Sequence, residues 1–189
     1  MYNHSDKKQV KYSLEQLAGG LFYHLRNKKI EDISVTDICR YANVSRRTYY
    51  RNCESKEDLI VYCTDFLVSK LLGSTDFREQ DPYKLYIGFF LYWKEHKEFL
   101  SLLYKNSLFD LFLKEFIEIC NAHMRYPLQE ESLKHSGDLE LTRRYSNAFV
   151  VGGLGQMLKE WTAENFRHSA EEIAGSILFL APLKIAAAR

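Results

Sequence analysis

The sequence predicts an all-α fold, in which a head of three short helices precedes a larger helical domain. Leucines recur every three or four residues between residues 14 and 25, as they do along one face of a helix. Only three prolines and nine glycines interrupt the 189 residues, whereas sheets need more frequent turns. Helix starts at Ser34, Ser45 and Ser55 follow one another closely, which indicates short helices packed into a compact head.

The first predicted helix begins at Ser13, because Ser13 and Gln16 have the spacing of a capping box. Gly19 and Gly20 lie in the middle of this helix, where each glycine costs about 1 kcal/mol relative to alanine. The leucine spacing therefore predicts a helix, and the two glycines weaken that prediction at its centre.

The next helix starts are supported by carboxylates three residues after the serine. Asp37 follows Ser34 and Asp58 follows Ser55 at the position where an acidic side chain stabilises a helix N-terminus. The helix after Ser55 is long, and the Gly-Ser-Thr sequence at residues 73–75 is expected to end it.

The remaining chain is predicted to form a second helical domain. We assign residues 1–58 to the head and residues 59–189 to this second domain. Asp81 followed by Pro82 predicts a helix start, since proline is favoured at the first helical position. Further helices are predicted over residues 108–119, with Pro127 as the stop, over residues 138–165, and over residues 169–187 with a capping box at Ser169 and Glu172.

Net charge is distributed unevenly, although it totals only +1. Residues 1–60 contain 11 Lys and Arg against 8 Asp and Glu, a balance of +3, and the remainder contains 15 against 17, a balance of −2. The basic end of the chain therefore coincides with the predicted head.

No pattern typical of a catalytic, metal or cofactor site is found. The four cysteines form no CxxC pair, and the six histidines do not cluster at metal-ligand spacing. Glycines at 152, 153 and 155 follow a helical stretch rather than a strand, which argues against a phosphate-binding loop. We therefore predict that the protein is not an enzyme and has neither a metal nor a cofactor.

Membrane insertion is not expected either. The longest apolar stretches, residues 85–93 and 173–183, fall short of the roughly 20 residues that a membrane span needs. Residues 1–8 are polar and lack the apolar region of a signal peptide. Together with the scattered cysteines, this predicts a cytoplasmic protein without a membrane partner.

Residues 33–60 have the pattern of two short helices joined by a tight turn. Val35, Ile38 and Cys39 form the inner face of the first helix. Asn43 lies at the turn, where asparagine tolerates a positive φ. Tyr49 and Cys53 are expected to face inward, which leaves the exposed side to Arg46, Arg47, Thr48, Tyr50 and Arg51.

The exposed residues suit a DNA groove. Arginine can donate two hydrogen bonds to a guanine edge, and threonine and tyrosine hydroxyls can contact phosphate oxygens. The helix N-termini at Ser34 and Ser55 offer backbone N–H groups that favour phosphates, and Lys56 adds a positive charge. We interpret residues 34–56 as a helix-turn-helix that binds double-stranded DNA.

The same segment resembles the N-terminal domain of TetR-type (tetracycline repressor family) transcription regulators. The family pattern I-T-V-x-x-I-x-x-x-A-G-V-S-x-x-T-x-Y-x-x-F-x-S-K-E-x-L is matched by Ile33-Ser34-Val35, Ile38, Ala42-Asn43-Val44-Ser45, Thr48, Tyr50, Ser55-Lys56-Glu57 and Leu59. Asn43 replaces the usual glycine, and Cys53 replaces the usual phenylalanine, so Tyr49 or a neighbour is expected to fill the space. The close resemblance covers residues 12–65, about a third of the chain.

The resemblance implies a homodimeric regulator that binds a DNA operator, with roles for particular residues. Arg46 and Arg47, with Arg51, would contact base edges. The phosphate backbone would be held by Ser34, Thr36, Thr48, Tyr50 and Lys56, and Ser45 belongs to the same DNA-binding set.

The resemblance also implies a small-molecule effector and a dimer interface in the second domain. An aromatic ligand pocket is expected at Trp93, Tyr104, Phe112 and Phe116. The last two helices are expected to form the dimer interface through Tyr145, Ala148, Gly152, Gly155, Ile173, Ile177 and Leu180. The alternative is that the small residues of this set pack against helices of their own chain.

Our interpretation of function is a TetR-type repressor that a ligand or partner controls, and three alternatives stay open. An activator would have the same motif, because the motif does not report the sign of regulation. An enzyme with an appended head is disfavoured by the absence of a catalytic pattern after residue 75. A helix-turn-helix that binds protein instead of DNA would be separated from our interpretation by a mobility-shift assay.

Overall fold

The computed structural model describes residues 1–5, 7–76, 79, 81–123 and 137–178. Within these residues the chain forms nine α-helices and no strand, which confirms the all-α prediction. The helices are α1 (Lys8–Leu25), α2 (Val35–Ala42), α3 (Arg46–Asn52), α4 (Glu57–Ser74), α5 (Pro82–Glu95), α6 (Lys97–Lys105), α7 (Phe109–His123), α8 (Leu139–Ala163) and α9 (Ala170–Ser176), with a 3-10 turn at Ile30–Asp32.

The helices divide into two compact units. The first unit contains residues 1–67 and 98–115, and the second contains the described parts of residues 68–97 and 116–189. Helices α4 and α7 therefore each contribute residues to both units. The first unit is larger than the predicted head, because residues 59–67 and 98–115 also belong to it. The functional boundary at residue 58 stays a prediction.

Helix α1 begins at Lys8, so the predicted start at Ser13 is wrong. Ser13 lies inside the helix, where its Oγ donates to the carbonyl of Gln9 at 2.8 Å instead of capping a helix end. The helix extends back because Val10 is buried on the same face as Leu14 and Leu17. Burial of this additional apolar residue outweighs the local capping pattern.

The two glycines of α1 differ in their surroundings. A Cβ built at Gly20 would lie 2.8 Å from the carbonyl oxygen of Ile38 in α2, whereas a Cβ at Gly19 would meet no described atom within 4 Å. Gly20 thus permits the close approach of α1 and α2, and packing of the head offsets its low helix propensity.

Several helix boundaries in the second half agree with the sequence prediction. Asp81 caps α5 by accepting from the backbone N–H of Tyr83 at 3.0 Å, with Pro82 at the first helical position. Asp138 caps α8 by accepting from the backbone of Glu140 at 2.8 Å and of Leu141 at 3.1 Å. Helix α6 was not predicted, because its short apolar pattern does not stand out between the longer α5 and α7.

The last described helix is shorter than predicted. The capping box at Ser169 and Glu172 is present at the start of α9. The helix then ends at Ser176, where Ile177 adopts φ −106° and ψ 0°, so the predicted continuous helix is interrupted there. Residues 179–189 and Pro127 lie outside the described residues.

Aromatic residues form the core of the second unit. Trp161 of α8 packs edge-on against Phe90 of α5, with ring centroids 5.6 Å apart, and its Nε1 donates to the carbonyl of His168 at 2.9 Å. Trp93 packs edge-on against Phe116, with centroids 6.2 Å apart. None of the helices in the described part of the chain is both long enough and apolar enough to span a membrane.

Candidate nucleic-acid interface

Helices α2 and α3 are joined by a left-handed turn at Asn43. Asn43 adopts φ 52° and ψ 40°, the conformation predicted from its sequence position. The following N–H of Val44 donates to the carbonyl of Cys39 at 3.0 Å, which satisfies a carbonyl at the end of α2. The turn therefore joins α2 to α3 through only three residues, 43–45.

The inner side of α3 is buried as predicted. Tyr49 is 0% exposed and Cys53 is 2% exposed, and both lie among core residues of the head such as Ile38. Burial raises the pKa of Tyr49, whose hydroxyl has no hydrogen-bond partner in the described part of the chain. The Tyr49 ring thus occupies part of this core. Cys53, at the position where the family pattern has a phenylalanine, is the smaller side chain beside it.

The outer side of α3 presents a group of cations to solvent. Arg46, Arg47 and Arg51 are exposed, and no described carboxylate forms an ion pair with them. The guanidinium carbon of Arg46 lies 5.8 Å from the centroid of the exposed Tyr50 ring, a cation–π contact worth about 0.5–1 kcal/mol at an exposed site. Three guanidinium groups on one short helix therefore retain their full hydrogen-bonding capacity for an external partner.

The serines at the helix starts have a local role. Ser45 Oγ accepts from the backbone N–H of Thr48 at 3.1 Å and lies 2.9 Å from the Thr48 hydroxyl. Ser34 Oγ accepts from the backbone N–H of Asp37 at 3.1 Å and donates to the Asp37 carboxylate at 2.7 Å. This donated hydrogen bond lowers the pKa of the Asp37 carboxyl. The serine hydroxyls cap α2 and α3, and their contact with phosphate stays a prediction.

Lys56 has a role that sequence reasoning missed. Its Nζ donates to the carbonyl of Ile33 at 2.8 Å and also to the carbonyl of Ile30. These carbonyls flank the 3-10 turn that leads into α2. The ammonium group therefore fixes the chain entering α2, and the predicted phosphate contact would compete with these two hydrogen bonds.

One exposed cation on α2 was also missed. Arg40 follows Thr36 by four residues, which places both on the outer face of α2. The Arg40 side chain is 77% exposed and reaches Asp37 only at 3.8 Å. The i,i+4 spacing from Thr36 could have identified Arg40 as a further candidate for phosphate contact.

The N-terminal residues pack against the end of α3. The backbone N–H of Asn3 donates to the carbonyl of Asn52 at 2.7 Å, and the two side-chain amides meet at 3.2 Å. Tyr2 is buried, and its hydroxyl donates to Asp65. No motif in the sequence indicated these contacts, which hold the C-terminal end of α3.

The four residues of the predicted ligand pocket are divided between the two units. Trp93 and Phe116 are fully buried in the second unit. Phe112 is buried in the first unit, where Tyr104 is 43% exposed and packs against Phe109. A pocket at these positions stays a prediction.

The predicted dimer residues on α8 differ in exposure. Tyr145 is 64% exposed, Ala148 is exposed and Gly152 is half-buried, whereas Gly155 is buried in its own chain. Phe149, which sequence reasoning missed, is 67% exposed on the same helix. Ile173 and Ile177 are half-buried, and Leu180 lies outside the described residues.

Burial affects the cysteine thiols, and the described side chains form no metal-binding cluster. Burial raises the pKa of all four cysteine thiols, to about 12 for Cys53, Cys63 and Cys120. Among the described residues, no group of three or more histidine, cysteine, aspartate or glutamate side chains is placed to hold a metal ion.

Similar solved structures are regulators of transcription. A dihydroxyacetone kinase operon activator, DhaS, is 15% identical, with a TM-score of 0.58 and coverage of 92% of this chain and 96% of that chain. A TetR transcriptional regulator from Streptococcus agalactiae is 18% identical, with a TM-score of 0.61 and coverage of 92% and 95%. The fatty acid degradation regulator FadR from Bacillus halodurans is 14% identical, with a TM-score of 0.54 and coverage of 93% and 95%.

These likenesses establish the fold, and a family match establishes the family. No curated protein sequence matches the chain. Residues 80–181 match the TetR-type model described as the transcriptional regulator C-terminal region. This match lies outside the helix-turn-helix and spans more than half of the 189 residues. The protein therefore belongs to the TetR family of transcriptional regulators.

Proposed function

We propose that this regulator binds double-stranded DNA sequence-specifically, with α3 in the major groove. The observation that supports the proposal most strongly is the outer face of α3, where Arg46, Arg47 and Arg51 are exposed and have no carboxylate partner among the described residues. The net charge of the protein is only +1, but three of its arginines lie on one seven-residue helix. These arginines create a local positive potential that attracts a polyanion.

The proposal gives different roles to different side chains. Arg46, Arg47 and Arg51 donate hydrogen bonds to base edges, since arginine is suited to bidentate contact with guanine. Tyr50 and Thr48 contact phosphates that flank the groove, and Thr36 with Arg40 contacts phosphates beside α2. Ser34, Ser45 and Lys56 act mainly by fixing the ends of α2 and α3, through the hydrogen bonds described above.

We also propose a two-fold homodimer. A single seven-residue recognition helix covers few base pairs, whereas two helices related by a two-fold axis would recognise two half-sites. Leu141, Tyr145 and Phe149 are exposed at spacings of four residues on α8, and such a row of apolar side chains favours a protein partner. A Cβ at Gly152 would meet no atom of the described residues within 4 Å, so a partner helix could approach there.

We propose that the protein represses transcription, and activation is the second candidate. A repressor needs only an operator that overlaps the promoter, whereas one of the similar structures is named an operon activator. An operator is first selected from a random DNA pool. A reporter gene placed behind that operator then distinguishes repression from activation. Deletion of the regulator raises expression if it represses and lowers expression if it activates.

Control by a small molecule is part of the proposal. An effector bound by the second domain would couple ligand binding to DNA affinity, and linkage requires the two effects to be reciprocal. A ligand that binds only the folded state raises the melting temperature. A metabolite screen by thermal shift, followed by DNA titration of each hit, tests this part separately from DNA binding.

The experiment that tests DNA binding is a fluorescence-anisotropy titration of duplex fragments at several salt concentrations. We expect the logarithm of the binding constant to fall with the logarithm of salt, with a slope of nearly one unit per phosphate contact. The double variant Arg46→Ala/Arg47→Ala should abolish specific binding, whereas the control Lys94→Ala/Lys97→Ala removes the same charge outside the helix-turn-helix and should leave specificity intact. Wild-type binding without salt dependence would contradict the proposal.

A further inference from the structure

The first unit contains an open groove away from the outer face of α3. Its volume is about 390 Å³, and α1, α4 and α6 line it. Sites for small molecules commonly span about 300–1,000 Å³ and combine apolar walls with a few polar groups. This groove has the size and the composition of such a site.

Aromatic rings form much of the wall. Phe22 and Phe99 are in contact as a tilted pair, with ring centroids 5.3 Å apart and an interplanar angle of 45°. Phe66, which is 54% exposed, and Tyr62 line the same groove. Aromatic faces carry negative electrostatic potential, so a groove lined by four rings attracts a cationic group that is weakly hydrated.

The charged residues of the groove add a negative balance. Glu98 is paired with Arg26, whose Nη2 and Nε lie 2.7 Å and 2.9 Å from the same carboxylate oxygen. Glu15 of α1 supplies a second carboxylate to the lining. Two carboxylates against one guanidinium leave a formal charge of −1, which opposes an anionic ligand and favours a cationic one.

Gly19 keeps the groove open on the side of α1. It lines the groove, and a Cβ built there would meet no atom within 4 Å. The adjacent Gly20 is required by its close contact with Ile38, but no contact within the described chain requires glycine at residue 19. A larger side chain at this position would project into the groove.

We propose that this groove binds an amphipathic organic cation, a ligand with an aromatic or branched apolar body and a quaternary onium charge. The apolar body packs against Phe22, Phe66 and Phe99. The positive charge lies among the ring faces and towards Glu15. Binding does not depend on the proposed DNA function, so either can fail without the other.

The direct test uses tetraphenylphosphonium as the probe and isosteric tetraphenylborate as the matched anion. Both are titrated into the full chain by isothermal calorimetry. We expect one saturable site per chain and about tenfold tighter binding of the cation, since opposite charges near a partly exposed carboxylate differ by roughly that factor. No saturable binding of the cation, or equal or tighter binding of the anion, would overturn the proposal.

Variants locate the site. Gly19→Leu fills the groove and should weaken cation binding at least about tenfold, as expected from steric exclusion of a bulky ligand. Glu15→Gln should weaken cation binding about threefold and narrow the preference over the anion. The controls Gly88→Leu, at another helical glycine with open space, and Glu31→Gln, at an exposed acid outside the groove, should leave affinity unchanged.

Two further measurements check that the loss of binding comes from the groove itself. A thermal melt checks the fold of Gly19→Leu, and Phe66→Ala, which alters only an exposed ring, should also weaken the cation if Gly19→Leu does not fold. Sedimentation velocity of each variant tests whether a second copy of the chain occupies the groove. The proposal is wrong if both Gly19→Leu and Phe66→Ala bind the cation as the wild type does. It is also wrong if either variant loses self-association, because the groove would then be occupied by a second copy of the chain.

Discussion

The outer faces of α3 and α8 are both exposed, but they differ in chemistry. On α3 the exposed side chains include Arg46, Arg47 and Arg51, whereas on α8 they include Tyr145 and Phe149, which are 64% and 67% exposed. Guanidinium groups carry a permanent positive charge and gain most from a polyanion that releases its counterions. Apolar rings gain from contact with another apolar surface that removes them from water.

This difference indicates two partners rather than one. A polyanion complements the charged face of α3, whereas an apolar protein surface complements the exposed rings of α8. We infer that α3 faces DNA and α8 faces a second copy of the chain. The four predictions that follow either separate the two faces or test the local structure that presents them.

The largest effect is expected from a charge on the apolar face. Phe149→Asp should weaken self-association by about 2–4 kcal/mol, the range of an interface hot spot, because dimer formation would bury an unpaired carboxylate. Light scattering or sedimentation equilibrium measures the change, and DNA affinity should fall with it. Tyr12→Asp, at a tyrosine of α1 that is 60% exposed, is the matched control. A dimer that tolerates Phe149→Asp as well as Tyr12→Asp would place the interface elsewhere.

The neighbouring glycines of α1 test how the head is packed. Gly20→Ala should lower the free energy of unfolding by about 1–3 kcal/mol, because its Cβ would overpack against the carbonyl of Ile38. Gly19→Ala should raise the free energy of unfolding by up to about 1 kcal/mol, since it gains helix propensity without a clash. Urea denaturation of both variants measures these changes. If the two substitutions change the free energy of unfolding equally, the close contact of Gly20 with α2 does not affect stability.

Arg47 and Lys56 test the division between base contact and positioning. Arg47→Ala should cost roughly 1–3 kcal/mol at one base position and relax the base preference there, without a change in stability. Lys56→Met should lower stability by about 1.5–3 kcal/mol, because it removes charge-assisted hydrogen bonds to Ile30 and Ile33.

Salt titrations with DNA separate the two roles of Lys56. If Lys56 only positions α2, its variant retains the wild-type salt slope, and if it contacts phosphate, the slope falls by about one unit. A slope reduced by one unit together with unchanged stability would restore the original assignment of Lys56 to the phosphate backbone. A uniform loss of affinity for all sequences in Arg47→Ala would remove Arg47 from base contact.

The smallest effects are expected at two adjacent tyrosines. Tyr49→Phe should leave stability unchanged or raise it by up to about 1 kcal/mol, because the buried hydroxyl that it removes has no hydrogen-bond partner among the described residues. Tyr50→Phe should leave stability unchanged and weaken DNA binding by about 1 kcal/mol through loss of a phosphate contact. Thermal melts and anisotropy titrations distinguish the two. A Tyr49→Phe variant that unfolds more easily would point to an internal partner for that hydroxyl.

Features that depend on local chemistry were predictable from the sequence. The left-handed Asn43, the serine caps at Ser34 and Ser45, and the inward Tyr49 each follow from residue type and spacing over a few positions. The start of α5 at Asp81-Pro82 follows from the same kind of rule. The short turn leaves α2 and α3 little freedom, so the motif specifies its own geometry.

Features that depend on distant contacts were not predictable. The start of α1 was placed at Ser13 because no local rule reports the burial of Val10. The hydrogen bonds from Lys56 to Ile30 and Ile33 join residues more than twenty positions apart, and nothing in the sequence near Lys56 indicates them. The exposure of Phe149 also depends on how α8 packs within its own unit, and hydrophobicity alone would have placed this ring in the core.

The central claim is that the outer face of α3 recognises a DNA sequence, and selection from a random duplex pool tests it most directly. Rounds of binding and amplification with the wild type should converge on a consensus of two related half-sites, separated by about one helical turn or more. The same selection with Arg46→Ala/Arg47→Ala should yield no consensus. Convergence on a two-fold site with the wild type alone is the result that we predict. A wild-type pool that stays random, or that converges equally well with the double variant, would contradict the claim.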